Sequence, residues 1–67
     1  MRLRNILRLI PGSQLITIID GEKIVLQNWE ARNAYEKIKE TKEEYFDYSI
    51  IILETFKNVL QMRIMKI

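Results

Sequence analysis

Asp20-Gly21 stands between two apolar runs in the stretch LITIIDGEKIVL, residues 15–26. Asp-Gly flanked by β-branched residues is a strong hairpin signal, because a type I′ turn needs positive φ at both central positions. Counting outward from that turn pairs Ile19 with Glu22, Ile18 with Lys23, Thr17 with Ile24, Ile16 with Val25 and Leu15 with Leu26. One face then carries Leu15, Thr17, Ile19, Ile24 and Leu26, and the other carries Ile16, Ile18 and Val25 beside Lys23. Both faces are apolar, which is more than a half-buried hairpin needs.

The flanking segments supply the rest of the fold. Leu3, Ile6, Leu7 and Ile10 recur at helical spacing, and Pro11-Gly12 ends that helix after about two turns. Residues 29–44 have helical composition, with Asn28 as the expected N-cap and a narrow apolar stripe of Ala31, Ala34, Tyr35 and Ile38. The segments DYSIIILETF and VLQMRIMKI read as two longer strands around a turn at Lys57-Asn58, where Asn tolerates the left-handed conformation. Pairing outward from that turn sets Thr55 opposite Leu60, Leu53 opposite Met62 and Ile51 opposite Ile64, with Glu54 facing Gln61 and Ile52 facing Arg63. The order α-β-β-α-β-β predicts an α+β fold: a four-stranded, largely antiparallel sheet with two helices on one face, in a single domain spanning residues 1–67.

A chain of 67 residues lies near the lower limit for one self-sufficient core, and such chains commonly carry a disulfide, a metal or a partner. This one has no Cys and no His, which excludes disulfides and the usual zinc sites and leaves association. A homodimer is therefore expected. Two helices cover one side of the sheet, and Leu15, Ile19, Ile24 and Leu26 are expected to face them. Ile16, Ile18, Val25, Ile50, Ile52, Met65 and Ile67 are left as an oligomer or partner face, unless the hairpins fold over each other and make that face internal.

Catalysis finds little support in these residues. Ser13 and Ser49 lie in no nucleophile-elbow context, and the carboxylates have no evident cleft to split their pKa values. Asp20-Gly21-Glu22 lacks the remaining positions of a calcium loop, so neither a metal nor a cofactor is expected. The net charge of +2 is small, with basic ends flanking a mildly acidic middle. Glu40, Glu43, Glu44 and Asp47 form an acidic patch that could meet an Arg/Lys-rich protein surface, or simply solvate a helix end. Arg2, Arg4 and Arg8 offer an alternative contact to nucleic-acid phosphates, or form the solvated side of the first helix. Tyr35, Tyr45, Phe46 and Tyr48 could stack on bases, while packing is the simpler role, with Tyr45-Phe46 at the helix-to-strand junction. No run approaches the roughly 18 apolar residues of a spanning helix, and Asn5 and Arg8 break the apolar run that would suggest a signal peptide.

The leading helix LRNILRLIPG, the hairpin ITIIDGEKIVLQ and the Lys/Glu-rich helix before a C-terminal hairpin together resemble small accessory proteins of phages and mobile elements of Gram-positive bacteria. The resemblance covers the whole chain in style and carries no diagnostic motif. Type II anti-CRISPR proteins, which block Cas9, are similar in size and α/β character. The resemblance implies a non-enzymatic inhibitor of a host defence nuclease, acting by surface occlusion in the cytoplasm of a bacterial host. A small nucleic-acid-binding protein is the alternative.

Overall fold

In the computed structural model, which describes residues 1–66, Leu3–Leu9 forms helix α1. Its first turn is closed reciprocally: the Arg2 backbone N–H donates to Asn5 Oδ1 (3.2 Å), and the Asn5 N–H donates to the Arg2 carbonyl (3.0 Å). Leu3 and Leu7 are buried beneath it. The strands β1 (Leu15–Asp20) and β2 (Lys23–Glu30) form the first hairpin, helix α2 (Ala31–Thr41) follows without a loop, and a 3₁₀ segment spans Glu43–Asp47. The second hairpin is β3 (Ser49–Phe56) with β4 (Val59–Met65). The sheet order is β2-β1-β4-β3, with a parallel β1–β4 pair at the centre and antiparallel hairpins on either side. The expected α+β architecture is therefore present, with a mixed sheet.

Helix α2 begins later than residue 29. Trp29 pairs with Ile16 within β2, and Asn28 is a strand residue at φ 57° rather than an N-cap. The reason is a bulge: between the Ile16–Trp29 and Ile18–Leu26 pairs, β2 holds one residue more than β1. Asn tolerates the left-handed conformation there, and its N–H donates to Thr17 Oγ1 (3.1 Å). The orphan donors of the helix go instead to the loop before β1, with Ala31 N–H donating to the Gln14 carbonyl (2.8 Å) and Arg32 N–H to the Gly12 carbonyl (3.0 Å). Ala31, Ala34 and Ile38 are its buried stripe, as their spacing predicts.

The two turns behave differently. Lys57 and Asn58 both take positive φ (50° and 67°), a type I′ arrangement, and the expected pairs of Thr55, Leu53, Glu54 and Ile52 all form. Ile51 opposite Ile64 does not: a bulge between Ile50 and Ile52 puts Ile50 there. In the first hairpin Asp20 stays in the strand and pairs with Lys23, so the turn is Gly21-Glu22, with Gly21 alone at positive φ (62°). Glycine at the first central position suits a type II′ turn.

The largest correction concerns which side of the sheet the helices cover. Ile16 and Ile18 are fully buried in the core with Leu26, Met62, Ile64 and Ile38. The parallel register explains this, because it aligns Ile16 with Leu60 and Ile18 with Met62, the apolar positions of β4. Val25 and Ile50 also pack against that core, each displaced by a bulge. Of the seven residues expected on a free face, Ile52 and Met65 are exposed, and Ile67 lies outside the described residues. Leu15 and Ile24, expected beneath the helices, are instead exposed on the far side, and Ile19 shares the row of Ile24 and Arg63 there.

Candidate functional site

The acidic and basic candidates meet each other. Asp47 accepts Arg4 Nη2 at 2.9 Å and lies 3.7 Å from Arg2 Nη1, which ties the start of α1 to the end of the 3₁₀ segment. Arg4 also lies over the Phe46 ring, 6.0 Å from its centroid. Two of the three arginines are thus committed within the fold, and Arg8 alone is exposed in the last turn of α1 without an ion pair among the described residues. Asp47 leaves the acidic patch in the same way. Glu40, Glu43 and Glu44 remain exposed, with no ion pair among the described residues.

The aromatic residues pack rather than present faces for stacking. Tyr45 and Phe46 are buried at the junction between α2 and β3. Tyr35 stacks obliquely on Phe46 (centroids 4.9 Å apart), and Tyr45 meets Tyr48 edge-on (4.8 Å). The Tyr45 hydroxyl donates to Asp20 Oδ2 at 3.2 Å, anchoring the segment to the tip of the first hairpin. Burial first, and then that hydrogen bond, push the Tyr45 hydroxyl above the usual tyrosine range. A phenol whose folded-state pKa is raised stabilises the fold fully below about pH 10 and loses that contribution as pH climbs through the raised value. Unfolding free energy measured from pH 8 upward should therefore fall above about pH 10, and Tyr45→Phe should flatten that slope.

No family model, curated protein or solved structure matches the chain.

The geometry points to the side of the sheet away from the helices. Its rows run Ile24, Ile19, Arg63, Ile52 and Thr17, Gln61, Glu54, with Leu15, Val59 and Phe56 beyond. Near the Lys57-Asn58 turn the surface is concave, with Ile24, Asn28, Phe56 and Gln61 among its lining residues. Ile24 is 53% exposed, Phe56 68% and Met65 54%, each with a large apolar side chain in solvent. Lys57 lies over the Phe56 ring at 5.4 Å, so a cation edges the aromatic group. Among the described residues no group of three or more acidic side chains could hold a metal ion, and no helix is long and apolar enough to cross a membrane. The signal for this surface in the sequence is the alternation of β4, where Gln61 and Arg63 are polar and Met62 and Ile64 apolar.

Proposed function

We propose that the chain is a non-enzymatic protein-interaction module that engages its partner through the uncovered side of the sheet. The observation carrying this reading is that five large apolar side chains, Leu15, Ile24, Ile52, Phe56 and Met65, are exposed on the side of the sheet opposite the core residues Ile16, Ile18, Met62 and Ile64. Monomeric surfaces seldom keep such groups together unless something binds there. Glu40, Glu43 and Glu44, which have no ion pair among the described residues, add an electrostatic contact suited to an Arg/Lys-rich partner. The specific form of the reading is an inhibitor of a host defence nuclease of the Cas9 type, by occlusion of a surface. It draws on the resemblance of the chain to small phage accessory proteins. The alternative, phosphate binding through Arg2, Arg4 and Arg8, is weakened because Asp47 engages Arg2 and Arg4.

The direct test is cleavage of a DNA target by a guide-loaded Cas9-type nuclease with increasing amounts of the protein. Inhibition is expected, and it should be lost in the variant Ile24→Glu with Phe56→Glu and weakened by Glu43→Lys with Glu44→Lys. Full cleavage at saturating protein would overturn the inhibitor reading. Tight binding to bare DNA that falls steeply with salt would overturn it in favour of the nucleic-acid alternative.

A further inference from the structure

Strand β3 is an edge of the sheet, and among the described residues its outer side is covered at one end only. There the N-terminal residues lie against it: Leu3 N–H donates to the Tyr48 carbonyl (2.9 Å), Ile50 N–H donates to the Met1 carbonyl (2.8 Å), and Arg2 bridges Ser49. From residue 51 to residue 56 every position is exposed. This free length carries Ile51, Ile52, Leu53 and Phe56, all 44–68% exposed, with Glu54 as its single charge. Natural edges are ordinarily guarded by Lys, Pro or a covering element, and an apolar edge without them is a template for another strand. Ile51 is the extra residue of the bulge, at the covered end, and residues 52–56 pair regularly with β4.

We propose that β3 pairs antiparallel with β3 of a second copy of this chain, joining the two sheets across a two-fold axis at Leu53. The length and parity of the edge select this register. Phe56 and Val59 flank a two-residue type I′ turn and form a hydrogen-bonded pair, so alternation along the ladder aims the N–H and C=O of Leu53 and Thr55 away from β4. Facing residues in an antiparallel pair must both point toward the partner or both away from it. A two-fold axis central to the free length therefore falls at Leu53 or at Glu54. At Glu54 two carboxylates would oppose each other. At Leu53 the pairs become Leu53 with the partner's Leu53 and Ile52 with the partner's Glu54, with the bulged Ile51 outside the regular pairing. The covering N-terminal residues and the Lys57-Asn58 turn both stay outside the paired length.

Charge favours the same register. Arg63 sits beside Ile52 on β4, and neither it nor Glu54 has an ion pair among the described residues. With the axis at Leu53, one row runs Ile19, Arg63, Ile52 and then the partner's Glu54. Arg63 and the partner's Glu54 are then two strands apart, roughly 9.5 Å between backbones, which their side chains can span together. The two-fold axis makes this contact twice.

Sedimentation velocity at increasing protein concentration tests the proposal. The wild-type chain should approach twice its 8.1 kDa mass at about 100 μM. Leu53→Pro removes an N–H that β4 does not use and should leave a folded monomer by circular dichroism. Glu54→Arg should weaken dimerisation about tenfold, and adding Arg63→Glu should restore it. A wild-type chain that stays at 8.1 kDa, or a Leu53→Pro variant that still dimerises, would overturn the proposal.

Discussion

Ile18→Ala should lower the unfolding free energy by about 2–5 kcal/mol, the usual cost of emptying a fully buried aliphatic site. Ile24→Ala should cost about 1 kcal/mol or less, the span of strand propensity. The contrast follows from burial: Ile18 has no exposed surface between Leu26 and Met62, whereas Ile24 is mostly in solvent. Both residues lie in the first hairpin and both are isoleucines, so composition cannot separate them. Urea denaturation at low protein concentration measures the difference, since association would otherwise add to apparent stability. Total stability of small domains is of order 5–15 kcal/mol, so the Ile18 variant should be near its unfolding midpoint under mild conditions. Equal losses at the two positions would mean that the helices do not cover the Ile16 and Ile18 side.

A second large effect is expected where α2 lies on the sheet. Ala34 is fully buried, and its small side chain lets the helix approach β1 and β2 closely. Ala34→Leu should cost about 1–3 kcal/mol, because the added methylenes force the helix outward or neighbouring side chains off their rotamers. Leucine has nearly the helix propensity of alanine, so the loss would report packing rather than helix formation. The control is Asn33→Ala on the exposed side, where only the Asn33 Nδ2 hydrogen bond to Glu30 Oε1 (3.3 Å) is lost. Thermal unfolding of the two variants side by side measures the comparison.

The parts of this fold written in local chemistry were legible in the sequence. Pro11-Gly12 closes α1, Lys57-Asn58 makes the type I′ turn with its pairs as far as Ile52, and the Ala31, Ala34, Ile38 stripe is buried. What depended on strands far apart in sequence was not. β1 is apolar on both faces, so its own pattern cannot say which side is covered. The neighbour that decides it is β4, whose parallel register sets Ile18 beside Met62 and Ile19 beside Arg63. Three bulges added to the difficulty, moving Leu26 and Ile50 to the helix side against strict alternation and then returning Trp29 to phase. The candidate surface inherits the same limit. Phe56 and Ile52 are conspicuous as residues, but their exposure depends on β3 being an edge, and strand order is not a local property.

The candidate charges show the opposite kind of miss. Arg2, Arg4 and Asp47 looked like parts of two separate sites because they lie more than forty positions apart in sequence. The fold spends them on each other, and their exposure keeps that contact modest, at most about 1 kcal/mol. Its role is to hold α1 against the 3₁₀ segment, which in turn keeps the N-terminal residues over the first part of β3. The free edge from residue 51 onward is thus defined at one end by an ion pair and at the other by a turn.

Amide hydrogen exchange at Leu53 and Thr55, followed by NMR as protein concentration rises, tests that edge most directly. Both amides should exchange fast in the dilute chain and become protected in step with concentration, while Gln61 and Arg63 in β4 stay protected throughout. Protection at Leu53 and Thr55 that does not change with concentration, whether high or absent, would contradict the pairing of β3 across two copies.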